Sequence, residues 1–374
     1  MVISMTMEDN AIKETPTKKS SICAENKSGI SAEKNSSFCA GIIGTGICLP
    51  QKIMTNFDME KIVDTTNEWI VQRSGIHERR ILEKDESIEP LALKASVEAI
   101  RDAGIEPSEI DMIIATSSTP EHLSPTLSAV LQHGIGVKNC AAFDLNAACT
   151  GFIYALSIAE TFIKNGAYKY ILITSSESVS KAVDWENRST CVLFGDGVGA
   201  AVVGRVDDGY GVIRSILGAD GEGSGLISIP CTYVSQDDIE KRKGKDSRTV
   251  YMDGGKVLKF ASKIMTACVD NLITMEGISL KDIKLLIPHQ ANLRIIDNSI
   301  RKIGIEQSRV FVNIDKYGNT SSASVPIALH EATKAGMLSD GDYYIVVAFG
   351  GGLTYGAHLC RWRERRLEFI SSGN

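Results

Sequence analysis

Phe143-Asp144-Leu145-Asn146-Ala147-Ala148-Cys149-Thr150-Gly151-Phe152 changes its periodicity part-way through. The apolar run from Cys140 to Leu145 predicts a buried strand, whereas Phe152, Leu156, Ala159, Phe162 and Ile163 return at helical spacing. Between them lies a turn of small residues with Cys149 at its crest. A strand that breaks into a helix at a cysteine sets the thiol against the positive end of the helix and aims backbone N–H groups at whatever the sulfur attacks. A free thiol is only a few per cent thiolate at neutral pH, and helix-end stabilisation of up to about 2 kcal/mol makes it easier to ionise. On this reading Cys149 is a nucleophile whose thiol titrates near neutrality. The competing reading is a cysteine used as a small core residue.

The rest of the chain bounds that choice. With 374 residues, 43% of them hydrophobic, it can bury one large core or two smaller ones. A formal charge of −6, with no basic block beyond Lys241-Arg242-Lys243, argues against nucleic acid as a partner. No apolar run approaches the ~20 residues a bilayer span requires, so a membrane is not expected either. The nine cysteines include no Cys-x-x-Cys pair, and Cys191 and Cys268 fall within apolar segments, as reduced thiols in a cytosol-like compartment would. Residues 1–38 are rich in Ser, Lys, Glu and Asn and lack periodicity, which predicts a disordered extension. They have no secretory apolar region, and Glu8, Asp9, Glu14, Glu25 and Glu33 disfavour an organelle transit peptide. The expectation is a cytoplasmic protein.

From Ala40 the sequence becomes globular. Ile42-Ile43-Gly44-Thr45-Gly46 is a strand and glycine turn, but Leu49 and Pro50 stand where a dinucleotide fingerprint needs its third glycine and its helix. Two segments then echo one another. Leu91–Ser118 reads helix, Gly104 turn, strand; Phe260–His289 repeats that order around Gly277. The Cys149 unit, ending in the strand Tyr170–Thr174, is echoed by Arg309–Phe349, read as a strand Val310–Ile314, a turn Lys316–Ser324, a helix and a strand Tyr344–Ala348. Two echoes at one offset of about 170 residues predict a duplicated chain. Its halves are 39–208 and 209–367, followed by a tail at 368–374. Continuous apolar strands alternating with helices predict an α/β fold with largely parallel sheets covered by helices. The repeat pairs Asn319 with Cys149 and brings both to one central site.

Polar residues in the second half fit such a site. Leu285-Leu286-Ile287 runs out into Pro288-His289-Gln290-Ala291-Asn292, which sets His289 at a sheet's carboxyl edge, where α/β ligand sites lie. Asn319 lies in Gly318-Asn319-Thr320-Ser321-Ser322 and is read either as a helix cap or as a site residue. Gly350-Gly351-Gly352 follows the last core strand without the Lys of a phosphate loop, and suits close approach of N–H groups to a reacting carbonyl.

Asp144–Phe152, Pro288–Arg294, Gly318–Ser321 and Gly350–Gly352, together with Glu68-Trp69-Ile70-Val71-Gln72-Arg73-Ser74-Gly75-Ile76 and Phe194-Gly195-Asp196-Gly197, resemble the β-ketoacyl-acyl-carrier-protein synthase III family of the thiolase superfamily. The resemblance runs from about residue 40 to 366. It implies a thiolase-like five-layered αβαβα fold from two duplicated halves, and a homodimer. It also implies a reaction: Cys149 takes an acyl group from acyl-CoA, and malonyl-acyl carrier protein loses CO2 and attacks the thioester to give 3-oxoacyl-acyl carrier protein. His289 and Asn319 match the residues that hydrogen-bond the enolate oxygen, and the amides of Cys149 and Gly351 match the oxyanion hole. Trp69, Arg73 and Arg188 match positions that grip the CoA nucleotide, while Ala291 and Asn292 match the pantetheine tunnel. Arg294, Arg301 and Lys302 match the helix that docks an acidic carrier protein. No metal or cofactor is called for.

In the family a residue supplied across the dimer often closes the acyl pocket; here Leu123 and Ser124 fall there, which predicts a pocket able to take primers longer than acetyl. Two other readings stand beside condensation. A non-condensing acyltransferase on this fold would pass the acyl group to a hydroxyl or amine, but such relatives often replace the asparagine that Asn319 retains. A silent partner subunit would lack the nucleophile. The loop Asp237–Arg248 is polar and charged, and is expected to be mobile.

Overall fold

The computed structural model describes residues 38–243 and 248–364. The expected extension, apart from Phe38, and the tail at 368–374 lie outside the described residues. In chain order the main elements are β1 (Cys39–Cys48), α1 (Asn67–Ser74), α2 (Glu89–Ala103), β2 (Met112–Thr116), α3 (Leu127–Ile135), β3 (Ala141–Leu145), α4 (Gly151–Lys164), β4 (Tyr170–Ser178) and β5 (Asp196–Val206). The second half supplies β6 (Gly211–Ala219), α5 (Gly254–Glu276), β7 (Ile283–Pro288), α6 (Leu293–Ile303), α7 (Ser324–Lys334), β8 (Tyr343–Gly350) and β9 (Thr354–Arg361).

Two sheets carry the duplication. The first has the order β1-β5-β4-β2-β3 and the second β7-β8-β9-β6, so that β6, β9, β8 and β7 repeat β1, β5, β4 and β2. Both sheets are mixed, which corrects the expectation of largely parallel ones. β2 runs parallel to β3 and β4, and β7 parallel to β8. The pairs β1–β5, β4–β5, β8–β9 and β9–β6 are antiparallel. The physical reason is connection length: β9 follows β8 after a tight turn, which permits only an antiparallel return.

Three helical layers complete the five-layered αβαβα fold. The central one is α4 and α7, whose Phe152, Leu156, Val325 and Leu329 pack in one cluster with Ile114 and Ile173 of the first sheet and Leu285 and Ile287 of the second. Outside the first sheet, Ala92, Ala95 and Ala99 of α2 and Leu131 of α3 cover Ile113, Leu172 and Val202. Outside the second, Met265 and Leu272 of α5 and Ile296 and Ile300 of α6 cover Leu286, Ile345 and Leu359. The alanines of α2 face Gly44 and Gly46 of β1, where an added Cβ would come within 2.3 Å and 2.2 Å of the helix backbone. The two halves pack as one unit rather than as separable domains.

The second copy departs from the sequence reading in one place. No strand forms over Val310–Ile314; Val310 makes only a single bridge to Leu286, and a short helix, Ile314–Tyr317, begins where the strand was expected to end. The side chain of Gln290 explains this. It donates to the carbonyls of Pro288 and Phe311 and accepts from the N–H of Asn313, satisfying backbone groups that a neighbouring strand would otherwise have to pair. The polar loop near 237–248 contains a helix, Gln236–Lys241, started by a capping box from Ser235 and Asp238; residues 244–247 lie outside the described residues.

Candidate active site

The turn between β3 and α4 is held open by its own polar groups. Asn146 Oδ1 accepts from Ala148 N at 3.0 Å, and Thr150 Oγ1 donates to the Ala147 carbonyl at 2.6 Å. Ala148 has φ 48°, a left-handed conformation that costs a non-glycine residue of order 1–3 kcal/mol and recurs at functional turns. Cys149 follows directly, and α4 begins two residues later. Gly350 closes on this turn: a Cβ there would lie 2.7 Å from Cys149 N and 3.1 Å from its Cβ. The glycine run thus packs tightly against the Cys149 turn at Gly350, with Gly351 next to it.

The equivalent turn of the second half precedes α7. Gly151 and Ser324 open equivalent helices, and Tyr170 and Tyr343 equivalent strands, with a spacing of 173 residues in both cases. That register corrects the expected pairing. Asn319 is the counterpart of Asn146, and Cys149 the counterpart of Ser322. The backbone agrees: Ser321 has φ 50° where Ala148 has 48°, and Asn319 Oδ1 accepts from Ser321 N at 2.9 Å as Asn146 does from Ala148. Asn319 is further pinned by its N–H to Leu193 O at 2.8 Å and by Gly195 N to its own carbonyl at 3.1 Å. Gly195 must lack a side chain there, since a Cβ would stand 2.3 Å from Tyr317 O.

Cys149, His289 and Asn319 line one cavity of about 870 Å³. With the Oδ1 of Asn319 engaged by Ser321, its amide hydrogens remain to donate. His289 is 1% exposed, and burial pushes its imidazole down to about 3, so the ring is neutral at physiological pH. Its Nδ1 lies 2.6 Å from Ser324 Oγ, which itself accepts from Gln290 N at 3.4 Å; in the tautomer whose Nδ1 accepts the hydroxyl hydrogen, Nε2 is the ring donor. Phe349 holds the ring edge-on at 5.3 Å.

The thiol departs from expectation. Cys149 is only half-buried by its surface, yet desolvation, opposed by the hydroxyl of Ser321 and reinforced by the negative charge of Glu177, pushes its thiol up to about 11 rather than toward neutrality. The N–H groups of Cys149 and Gly351 act the other way and lower it, but they do not outweigh desolvation. Ser321 Oγ donates to the sulfur at 3.4 Å.

The residues expected to hold CoA fall into two groups. Trp69, Arg73, Ala291 and Asn292 line the same cavity, as does Arg294. Arg188 does not. It stacks 4.7 Å from the Trp69 ring centroid, donates to Asp64 O at 2.8 Å, and lines an adjoining depression of about 510 Å³ that shares Ser189 and Val250 with the first. Arg73 lies 5.7 Å from the same ring. Asn292 caps α6 through Arg294 N and donates to Arg73 O at 3.1 Å, tying α6 to α1. Arg301 and Lys302 are exposed near the far end of α6, about 10 Å along the helix from Arg294. Leu123 is 64% exposed, and neither it nor Ser124 lines the cavity of its own chain.

Comparison with known proteins decides the family. The model of 3-oxoacyl-[acyl-carrier-protein] synthase III matches residues 143–221, and the model of its C-terminal part matches 273–362. A β-ketoacyl-[acyl-carrier-protein] synthase III from Caldanaerobacter subterraneus subsp. tengcongensis is 45% identical over 325 residues, 87% of this chain and 98% of that protein. One from Clostridium acetobutylicum is 46% identical over 323 residues, 86% and 98% of the two chains. The crystal structure of 3-oxoacyl-[acyl-carrier-protein] synthase III from Aquifex aeolicus superposes with a TM-score of 0.80 at 44% identity, covering 86% of this chain and all of that one. This chain belongs to the β-ketoacyl-acyl-carrier-protein synthase III family.

Within this synthase III fold, sequence reasoning missed the polar floor beneath the turns: Ser118, Glu177, Ser321 and Ser322, joined by hydrogen bonds between the halves. A signal was present in Ser175-Ser176-Glu177-Ser178, a charged residue among serines at the end of a fully buried strand. Also missed was the apolar wall of Val179, Ile227, Ile229, Val250 and Met252, whose residues are scattered over separate segments.

Proposed function

We propose that the protein catalyses decarboxylative condensation of an acyl primer from acyl-CoA with malonyl-acyl carrier protein, releasing CoA and CO2 and giving 3-oxoacyl-acyl carrier protein for fatty-acid or related synthesis. The observation that carries this reading is the convergence of a thiol, a neutral imidazole and a carboxamide on one cavity. In the first step Cys149 Sγ attacks the thioester carbonyl of acyl-CoA, the C–S bond to CoA breaks, and CoA leaves with the proton given up by the thiol. The N–H groups of Cys149 and Gly351 would hold the tetrahedral oxyanion. In the second, the malonyl group loses CO2 and its electron pair enters the thioester as an enolate, stabilised by His289 Nε2–H and the amide hydrogens of Asn319. The enolate carbon then forms the new C–C bond, and Cys149 leaves as the thiol after taking up a proton. Decarboxylation drives a near-neutral thioester exchange, and the donors it needs are amides and a neutral ring, so the reading includes no metal or cofactor.

The same reading assigns the Trp69–Arg188 stack to the CoA nucleotide, Ala291 and Asn292 to the pantetheine arm, and Arg294, Arg301 and Lys302 to the acidic carrier. A cavity of about 870 Å³ with an apolar wall suits a primer longer than acetyl. A homodimer is supported by β3, an edge strand with half-buried Ala141, Ala142 and Phe143 and an unpaired side. Asp144 of that strand accepts from the first amides of α3, Leu127 N and Ser128 N, which holds the loop bearing Leu123 and Ser124 at the same edge, within reach of a partner. A cytoplasmic location is supported by eight free cysteines among the described residues. No described helix is long and apolar enough to cross a membrane.

Intact-mass analysis after exposure to a panel of acyl-CoAs, then to malonyl-acyl carrier protein, tests the scheme. The acyl mass should appear on the native protein, be absent from Cys149→Ala, and be discharged with CO2 release. Acylation of Cys149→Ala would overturn the nucleophile; discharge to a hydroxyl or amine without CO2 would favour the non-condensing reaction.

A further inference from the structure

The two turns share a backbone but not what fills them. The 173-residue spacing puts Glu177 at the end of β4 where Gly350 stands at the end of β8, and Ser322 where Cys149 stands. Gly350 is bare and lets the reactive turn close upon it. Glu177 fills the corresponding space with a carboxylate that is 0% exposed. Its oxygens accept from Ser322 Oγ at 2.5 Å, Ser322 N at 3.2 Å, Ser118 N at 3.0 Å, Ser118 Oγ at 3.2 Å and Thr119 Oγ1 at 3.0 Å. Ser118 and Thr119 follow β2 in the first half, and Ser322 precedes α7 in the second. Five donor groups from both halves thus converge on one carboxyl group; burial pushes its pKa up and these hydrogen bonds favour the ionised form, and no ion pair to it is found among the described residues. A buried carboxylate held this way is costly to keep and specifies geometry rather than adding stability.

We propose that Glu177 is a positioning residue for the condensation, acting through Ser322 and Ser118 to lock the turn that presents Asn319 and Ser321 to the sulfur of Cys149. With Ser322 held from beneath, Ser321 is kept in its left-handed conformation. Its N–H then reaches Asn319 Oδ1 at 2.9 Å, which turns the amide hydrogens outward as donors. Its hydroxyl, 3.2 Å from Ser118 Oγ, reaches the sulfur at 3.4 Å. The carboxylate has a second effect: after burial, its charge is a further cause that opposes thiolate formation at Cys149. Glu177 is the ionisable group that acts on Cys149, while His289, Arg73 and Arg294 line the same cavity.

The inference rests on the condensing reading, so its test includes a probe that needs no acyl substrate. Glu177→Gln keeps the size of the side chain, removes the charge, and turns an NH2 group toward atoms that themselves donate. Iodoacetamide alkylation of Cys149 in the full chain, followed by intact mass across pH, should have its midpoint at lower pH in this variant than in the native protein. Condensation kcat should fall roughly 10- to 100-fold, the size of effect expected when reacting groups are misplaced by about 1 Å, while the primer KM changes little. A folded Glu177→Gln protein with the native alkylation profile and native kcat overturns the proposal. If Glu177→Gln does not fold, Ser322→Ala decides: it removes the 2.5 Å contact to Glu177, together with a 3.3 Å bond accepted from Thr116 Oγ1, and should also lower kcat, and a native kcat there overturns the proposal. A native protein that is alkylated normally yet never condenses would refute the functional reading instead.

Discussion

His289 and Cys149 illustrate how burial rather than residue type sets the chemistry of this site. An imidazole held down to about 3 donates without titrating in the working range, so the rate of malonyl decarboxylation should show no limb assignable to His289 between pH 5 and about 8, as a pH–rate profile would reveal. The same shift has a stability consequence with a definite sign. Between the unperturbed value of 6.5 and about 3, the unfolded chain binds a proton at this residue and the folded chain does not, so stability contributed here is lost as pH falls through that window. His289→Ala should therefore lose less stability between pH 7 and pH 4.5 than the native protein, as urea titrations at the two pH values would measure. Its condensation rate should fall by roughly 10²–10³ while acylation of Cys149 persists, because the loss is that of one enolate donor. Asn319→Ala should behave in the same way, and acylation lost in step with condensation in either variant would contradict the division of labour.

Among the elements, β8 and α6 make the most exposed commitments. β8 ends in Gly350 against the backbone of Cys149, and the 2.7 Å approach of an added Cβ meets main chain rather than a flexible side chain. Gly350→Ala should cost about 1–3 kcal/mol of stability and slow acylation, since either the turn or the strand end must move. Thermal unfolding and the rate of acyl transfer to Cys149 measure the two effects; a variant with native acylation would mean that the turn tolerates displacement. On α6, Arg301 and Lys302 are exposed, and neither lines the cavity. Arg301→Glu with Lys302→Glu should raise the KM for malonyl-acyl carrier protein several-fold and leave acyl-CoA kinetics unchanged; equal effects on both substrates would remove these residues from a docking role.

For the whole molecule, the decisive feature is the unpaired edge of β3 with its half-buried apolar residues. Sedimentation should give a mass of roughly twice 40.4 kDa, and Phe143→Lys should shift it toward a single chain. If the loop carrying Leu123 and Ser124 completes a partner's pocket, the shifted protein should also lose preference among primers of different length. Much of this architecture was legible beforehand. The switch from strand to helix at Cys149, the two echoes, and His289 at a strand end all follow from local periodicity and spacing, which survive in a single sequence. The strand expected at Val310–Ile314 was not legible, because its replacement depends on where the side chain of Gln290 reaches. Nor was the sheets' mixed character, which periodicity alone does not distinguish.

What the sequence by itself determined was most of the element order, the duplication, and the residue types gathered at strand ends, because each is written in neighbouring residues. The register of the repeat was decided only in three dimensions. Helix starts and left-handed residues, not residue chemistry, showed that Cys149 corresponds to Ser322 and Asn319 to Asn146. The ionisation of the thiol was decided there too: the helix end is a local property and burial is not, and burial outweighs it. Glu177 belongs to the same class, since a carboxylate becomes a clamp only when two halves of a chain close around it.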